Sequence, residues 1–355
     1  MANPRESELS YPLGETLPEP GATLDVRPGL RWVRMRLPFA LDHINLWLLR
    51  DQLDGRDGWT IVDCGIATDE TRANWEKVFA EHLDGLPVLR VIVTHFHPDH
   101  MGLAHWLTEK WQVRLWMSCS DYNLARLASQ STVGMGGDTA AAFFGSHGLT
   151  DPDSQAKIRG RANYYPSMVP VVPASYRRLM DGNEITIGGK TWRCIAGYGH
   201  APEHISLFCA DHEGGPVLIS GDMMLPRIST NISVVDAEPE ADPLSLYLAS
   251  TERLRELPAD TLVLPAHGKP FQGLHARIEQ LLEHHEERLA EVMQACKDKP
   301  CHAAELLEMM FKRKLDLHQT TFAMGEAVAH LNALWLQGRL RREQGSDGVY
   351  RFSAT

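Results

Sequence analysis

Residues 91–106 read VIVTHFHPDHMGLAHW, and this stretch decides the fold. Apolar, strand-forming residues lead into it, and His95, His97, Asp99 and His100 then follow within six positions, with Pro98 stiffening the turn between them. His95 and His97 sit two apart on a chain leaving a strand, so both rings can converge on one ion. Asp99 and His100, on the turn, can face a second. Imidazole nitrogens and carboxylate oxygens without a cysteine suit zinc or a neighbouring first-row metal. Two donors per ion are too few, so the pattern demands more ligands from elsewhere in the chain.

The sequence provides candidates. His200 lies beyond the strand WRCIAG, in GYGHAPEH, where glycines let the backbone come close. Asp222 ends the apolar strand of LISGD, and His267 ends that of LVLPAHG. Each lies just past the C-terminal end of an apolar strand, where α/β folds gather their ligands. Any one of them alone reads as a satisfied polar residue. The shared context of all of them is what argues for a site.

Working outward, short strand-like runs (LRWVRMRL, INLWLL, WTIVDCG) precede a helical stretch, DETRANWEKVFAEHL, with Trp75, Val78, Phe79 and Leu83 on one face. After the motif come a short helix, MGLAHWLTEKW, and a strand, VRLWMS. Alternating strands and helices indicate an α/β layered core. Residues about 121–180, including STVGMGG and YYPSMVPVVPASY, read as a long irregular insertion carrying short helical pieces. Strands resume with EITIGGKTWRCIAG, HISLFCA, PVLISGD and TLVLPAHG. The expected division is an N-terminal extension at 1–29, a catalytic domain at 30–273, and a C-terminal unit at 274–355. That unit begins with an amphipathic helix. Two helices and a Gly-Ser-Asp-Gly hairpin follow, the outline of a winged helix.

Composition sets limits. The chain has 355 residues, 43% of them apolar, enough for a sizeable core without disulfides. A net charge of −11 disfavours polyanions such as nucleic acid. The six cysteines form no C-x-x-C pair and read as buried thiols in a reducing compartment. The N-terminus lacks a charged leader followed by an apolar segment, and no apolar run approaches the roughly 20 residues that span a bilayer. A soluble, cytoplasmic protein without membrane contact is expected.

With the ligand set assembled, the chain resembles the metallo-β-lactamase superfamily, whose signature is His-x-His-x-Asp-His followed by later His, Asp and His ligands. The resemblance covers roughly residues 30–272 and implies a four-layer αββα sandwich, here followed by a C-terminal helical or winged-helix module. It also implies roles. His95, His97 and His200 would hold one metal; Asp99, His100 and His267 would hold a second, with Asp222 bridging. Asp63, in IVDCG, would orient a ligand histidine from behind. His204 would be a further supporting donor. Two divalent ions, zinc first and iron or manganese as alternatives, would supply a bridging hydroxide at neutral pH. Asp99 would orient it and carry its proton to the leaving group.

Among branches of that family, no export signal is evident, and Asp222 stands where secreted β-lactamases use cysteine. His97 stands where flavin-linked di-iron relatives carry glutamate. The sequence thus points to a dinuclear hydrolase of a small-molecule thioester, ester or lactone. Two alternatives are a metal-dependent endoribonuclease gripping RNA with the winged helix, and a mononuclear iron dioxygenase of sulfur compounds. The final helix shows Ala, Leu, Trp335 and His330 rather than basic residues, so packing or dimerisation is expected of it, not nucleic-acid binding. The amphipathic helix offers a surface for a homodimer. His43, Tyr164 and Tyr165 are candidate substrate contacts.

Overall fold

The computed structural model describes residues 3–131, 136–161, 163–312 and 314–355. The centre of STVGMGG and the first two residues of the N-terminal extension lie outside the described residues.

Two sheets face each other. The first runs β1 (Thr23–Arg27), β2 (Leu30–Arg36), β3 (His43–Leu53), β4 (Arg56–Val62), β5 (Val88–Ile92), β6 (Leu115–Met117) and β7 (Tyr176–Arg178), paired in that order. β1 to β4 are antiparallel, and β4 to β7 are parallel. The second sheet comprises β8 (Glu184–Ile187), β9 (Lys190–Gly197), β10 (His204–Cys209), β11 (Val217–Gly221) and β12 (Leu262–Pro265), in spatial order β12-β11-β10-β9-β8. Between the sheets lie Trp32, Trp47, Val62 and Ile92 from the first, and Trp192, Cys194, Leu207 and Ile219 from the second. Trp32 and Trp47 are register partners, with ring centroids 6.1 Å apart. Truncating such a tryptophan to alanine costs about 3–5 kcal/mol. An exposed ion pair such as Arg5–Glu8 is screened by solvent and contributes little by comparison, so burial decides the stability of the sandwich.

Helices cover both outer faces. Against the first sheet pack α1 (Asp69–Glu81), the one-turn α2 (Pro98–Met101), α3 (Ala104–Trp111) and α4 (Cys119–Ala128). α1 starts where the Thr68 side chain accepts from the Thr71 N–H, and it buries Trp75 and Val78. α5 (Gly137–Ser146), α6 (Pro152–Arg159) and α7 (Tyr164–Met168) follow, then α8 (Pro243–Arg253) and the 25-residue α9 (Leu274–Asp298). Leu274, Ile278 and Leu281 of α9 pack on Phe208, Leu218 and Val263 of the second sheet. Four layers, αββα, result. α10 (Ala303–Met310), α11 (Leu317–Leu336) and the hairpin β13 (Leu340–Gln344)–β14 (Tyr350–Ala354) complete the chain.

Several expectations change. β1 makes the end of the N-terminal extension the edge strand of the first sheet, because Leu24 and Val26 pack into the intersheet core. EITIGGKTWRCIAG is two antiparallel strands turning at Gly188 and Gly189, both at positive φ. The insertion at 121–180 is mostly helical and supplies β7 as well as α5 to α7. A boundary at 273 would cut the fourth layer, since α9 starts on the second sheet and ends among C-terminal residues. Phe143 and Phe144 of the insertion share that C-terminal core with Val292, Leu306, Leu331 and Phe352. The apolar face of α9, offered above as a dimer surface, is covered by the chain itself. α11 is buried at ten of the eleven positions preceding Leu334, with Glu326 the part-exposed one. No helix among the described residues is long and apolar enough to cross a membrane.

Candidate metal centre

β4, β5, β9, β11 and β12 all end at one edge of the sandwich, and their exits carry the candidate ligands. Two groups of donor atoms form there: His95, His97, His200 and Asp222, and Asp99, His100 and His267, the atoms of each within 4.8 Å of one another. In the first, His95 Nε2 lies 2.9 Å from His97 Nδ1 and 3.2 Å from His200 Nε2. Asp222 joins the groups. Its Oδ2 is 3.1 Å from His200 Nε2, while its Oδ1 is 3.4 Å from His267 Nε2 and 3.6 Å from His100 Nε2. Asp99 Oδ2 stands 3.4 Å from His267 Nε2.

The opposite ring nitrogens are tied back. His200 Nδ1 bonds the Asn231 carbonyl and His267 Nδ1 the His43 carbonyl, each at 2.7 Å. Carbonyls only accept, so both rings carry a proton on Nδ1 and turn Nε2 to the centre as the atom left for an ion. Asp63 Oδ2 accepts a hydrogen bond from the His100 Nδ1–H at 2.8 Å, and its Oδ1 accepts the Thr94 N–H at 2.8 Å. Asp63 holds a left-handed φ of 63°, a conformation that aspartate tolerates better than bulkier residues. Thr94 Oγ1 bridges this carboxylate to His95 Nδ1, 3.0 Å away.

Burial and neighbouring imidazoles hold His95 well below its ordinary range and His97 at about 3. Burial works against charge on His267 too, but Asp222 and Asp99 outweigh it and raise it to about 10. His100 is likewise raised, against burial, by Asp63, Asp99 and Asp222. The same attractions overcome burial at Asp99, held at about 2 with His100 as the strongest partner. A divalent cation would replace the protons that these carboxylates otherwise keep on the two histidines. His100 Nε2 and Asp222 Oδ1 are buried without a hydrogen-bond partner among the described residues, which fits donors shaped for ions. The all-nitrogen-and-oxygen donor set suits zinc, iron or manganese.

His204 opens β10, which runs antiparallel to β9 and so begins at the ligand edge. It supports the site as an acceptor, not the expected donor: its Nε2 takes the Asp222 N–H at 3.2 Å. A Cβ at Gly221 would collide with that ring, so the glycine is required there. His43 does not line the cavity. Its Nδ1 pairs with Asp42 at 2.7 Å and its Nε2 accepts from the Gly268 N–H at 2.8 Å, which consumes the ring and fixes the His267 loop. Tyr165 is also not a substrate contact: it is 1% exposed and donates to the Phe96 carbonyl at 2.6 Å. Tyr164 does reach the cavity of about 720 Å³ that opens on Asp99, Asp222 and His267. Sequence reasoning missed Thr94, Asn231 and Asp121. Asp121 accepts the Phe96 N–H at 2.9 Å and the Glu203 N–H at 2.8 Å, tying the motif to the His200 loop, while burial pushes its carboxyl up to about 6. Thr94 was signalled by its place before His95; Asp121 had no local signal.

Residues 40–267 match the family model of the metallo-beta-lactamase superfamily, and residues 289–355 match that of the metallo-beta-lactamase-like C-terminal domain. The probable metallo-hydrolase YqjP of Bacillus subtilis is 28% identical over 329 residues, 90% of this chain and 96% of that one. A linear primary-alkylsulfatase of a Pseudomonas species is 26% identical over 238 residues, 65% of this chain but 43% of that enzyme. A beta-lactamase domain protein from Burkholderia ambifaria superposes with a TM-score of 0.93 at 55% identity, covering 99% of both chains. A metallo-beta-lactamase family protein from Thermus thermophilus does so with a TM-score of 0.74 at 28% identity, covering 93% of this chain and 100% of that one. With the family model covering β3 to β12 and every candidate ligand, the chain belongs to the metallo-beta-lactamase superfamily and is a metallo-hydrolase of it.

Proposed function

We propose that the protein is a dinuclear hydrolase that cleaves a thioester, ester or lactone carrying an apolar acyl group. The observation that carries this reading is Asp222, which turns one carboxylate oxygen to each donor group. His95, His97 and His200 would hold one ion, and Asp99, His100 and His267 the other. When bound, the ions supply a water acidified toward neutrality and polarise the scissile carbonyl. Asp99 faces the cavity and is placed to take the proton of the attacking water and hand it to the departing thiolate or alkoxide. Asp63 and Thr94 keep the rings of His100 and His95 aimed during that transfer. Leu37, Phe39, Met168, Leu225, Ile228 and Phe322 line the cavity and exclude water around an acyl chain.

The alkylsulfatase relative supports a second reading, hydrolysis of an alkyl sulfate ester, for which the same apolar lining serves. The ribonuclease alternative is disfavoured because α11, which would enter a groove, is spent on the core. Metal analysis of the purified protein, followed by thioester, lactone, aryl-ester, alkyl-sulfate and labelled-RNA panels with oxygen uptake monitored, tests these readings. The expected outcome is two ions per chain and acyl hydrolysis without oxygen consumption. Turnover of RNA alone, or a single iron with oxygen uptake, would overturn it.

A further inference from the structure

The cavity extends from the ligand edge to the C-terminal region, where α9 supplies His284 and Arg288 to its wall. Arg288 is 8% exposed, yet its Nε and Nη1 have no hydrogen-bond partner among the described residues. Its Nη2 is held by Glu291, three residues on, at 2.5 Å. A guanidinium presents five N–H donors in a rigid fork that suits carboxylate and phosphate oxygens. Both idle nitrogens are buried, and Glu291 meets the guanidinium through Nη2 alone, so two arms of a fork that lines the cavity are left for a second oxyanion. Within the chain, Glu326 is the acidic side chain of α11 on the same wall, and no ion pair among the described residues joins it to Arg288. Burial raises the Glu326 carboxyl to about 7, which weakens it as a counter-charge. Lys312, exposed at the same cavity, adds positive charge.

We propose that Arg288 receives an oxyanion, carboxylate or phosphate, at the end of the substrate remote from the scissile bond. The preferred substrate is then an apolar acyl group that ends in a negative charge, one end at the ligand edge and the other on α9. This rests on the hydrolase reading for the scissile end only. The C-terminal region thereby acts as the selectivity wall of the catalytic cavity.

The test compares p-nitrophenyl hexanoate with two esters of equal chain length, the p-nitrophenyl half-ester of adipate and the ω-phosphorylated hexanoate ester, on metal-loaded protein. A KM for an anion-ended ester at least about tenfold below that for the neutral one is expected, as for a charge-assisted pair. The lower of the two anionic values tells carboxylate from phosphate. In Arg288→Gln the ratio should collapse toward one; Arg288→Met, which keeps the apolar stem, serves if Gln disturbs the fold. Equal KM values in the wild type, or a preference that survives both variants, would overturn the proposal. Should no ester turn over, the hydrolase reading fails, and calorimetric titration with monomethyl adipate and the uncharged methyl hexanoate still decides the anion site. Excess affinity for monomethyl adipate that vanishes in Arg288→Gln supports it, and equal affinities refute it.

Discussion

The cavity has two walls of different construction. The ligand wall is made of strand exits, and its donors are fixed by backbone hydrogen bonds and carboxylates behind the rings. The facing wall, from the loop before β3 and from α7 and α11, is held by side chains touching side chains. Phe39 stacks on His318 with centroids 5.4 Å apart, and the Tyr164 hydroxyl lies 3.2 Å from His318 Nδ1. A sheet edge cannot move one ligand without moving its neighbours, whereas aromatic contacts can repack around different substrates. Reaction chemistry is therefore assigned to the rigid wall and substrate choice to the adaptable one.

The contrast is broken most directly at Asp222. Replacing it by alanine removes the carboxylate shared by both donor groups. Metal content and turnover should fall together, activity by about a thousandfold or more, since a single electrostatic group in an active site is already worth on the order of a hundred- to a thousandfold. Circular dichroism should remain that of the folded sandwich. Full metal content with normal turnover would show that the rigid wall does not carry the chemistry.

Asp63→Asn is a gentler blow to the same wall. Asparagine tolerates the left-handed backbone that Asp63 adopts, so the change isolates the charge behind His100. Metal affinity, read by chelator competition, should weaken by about 10–100-fold. An unchanged affinity would mean that strand geometry alone fixes the His100 ring.

The ligand wall was the legible one. His95, His200, Asp222 and His267 follow apolar strands, and that juxtaposition survives in one dimension. His43 and His204 were harder because they begin antiparallel strands, so the same edge is reached from the other chain direction. His43 was misassigned for lack of any sign that its ring would be consumed by Asp42 and Gly268. Asp121 was invisible, since it acts on the backbone N–H groups of Phe96 and Glu203, which no residue type announces. In the insertion, helices of 10, 8 and 5 residues are too short to display a period, so their helical nature was read as irregularity. β1 was hidden similarly, as five residues between two glycines.

The C-terminal side should betray itself by pH. Burial holds His147 at about 4, against an ordinary 6.5, within the core shared by α5 and the hairpin. Between those values the unfolded chain binds a proton that the folded chain refuses, so this contribution is full above about 6.5 and is lost as pH falls toward 4. His284 and His330, also held at about 4 by burial, add to the same window. His147→Phe keeps a ring against Phe143 and Phe352. It should recover about 1–3 kcal/mol of the loss between pH 7 and 5, measured by thermal melts at both values. A variant as acid-sensitive as the parent would place the sensitivity elsewhere.

The smallest effects separate two adjacent tyrosines in α7, one on each side of the divide. Tyr165→Phe deletes the buried hydroxyl on the Phe96 carbonyl, between His95 and His97, and should cost about 1–2 kcal/mol in denaturant melts. Tyr164→Phe loses a part-exposed contact to His318 and should leave stability within about 0.5 kcal/mol. Its signature should instead be a change of a few-fold in the KM for acyl esters, with kcat retained. The one-turn helix aims neighbouring rings about 100° apart, which sends one tyrosine to the core and the other to the cavity. If the two variants exchanged these phenotypes, the division between a rigid reacting wall and an adaptable selecting wall would fail at the point where they lie closest in sequence.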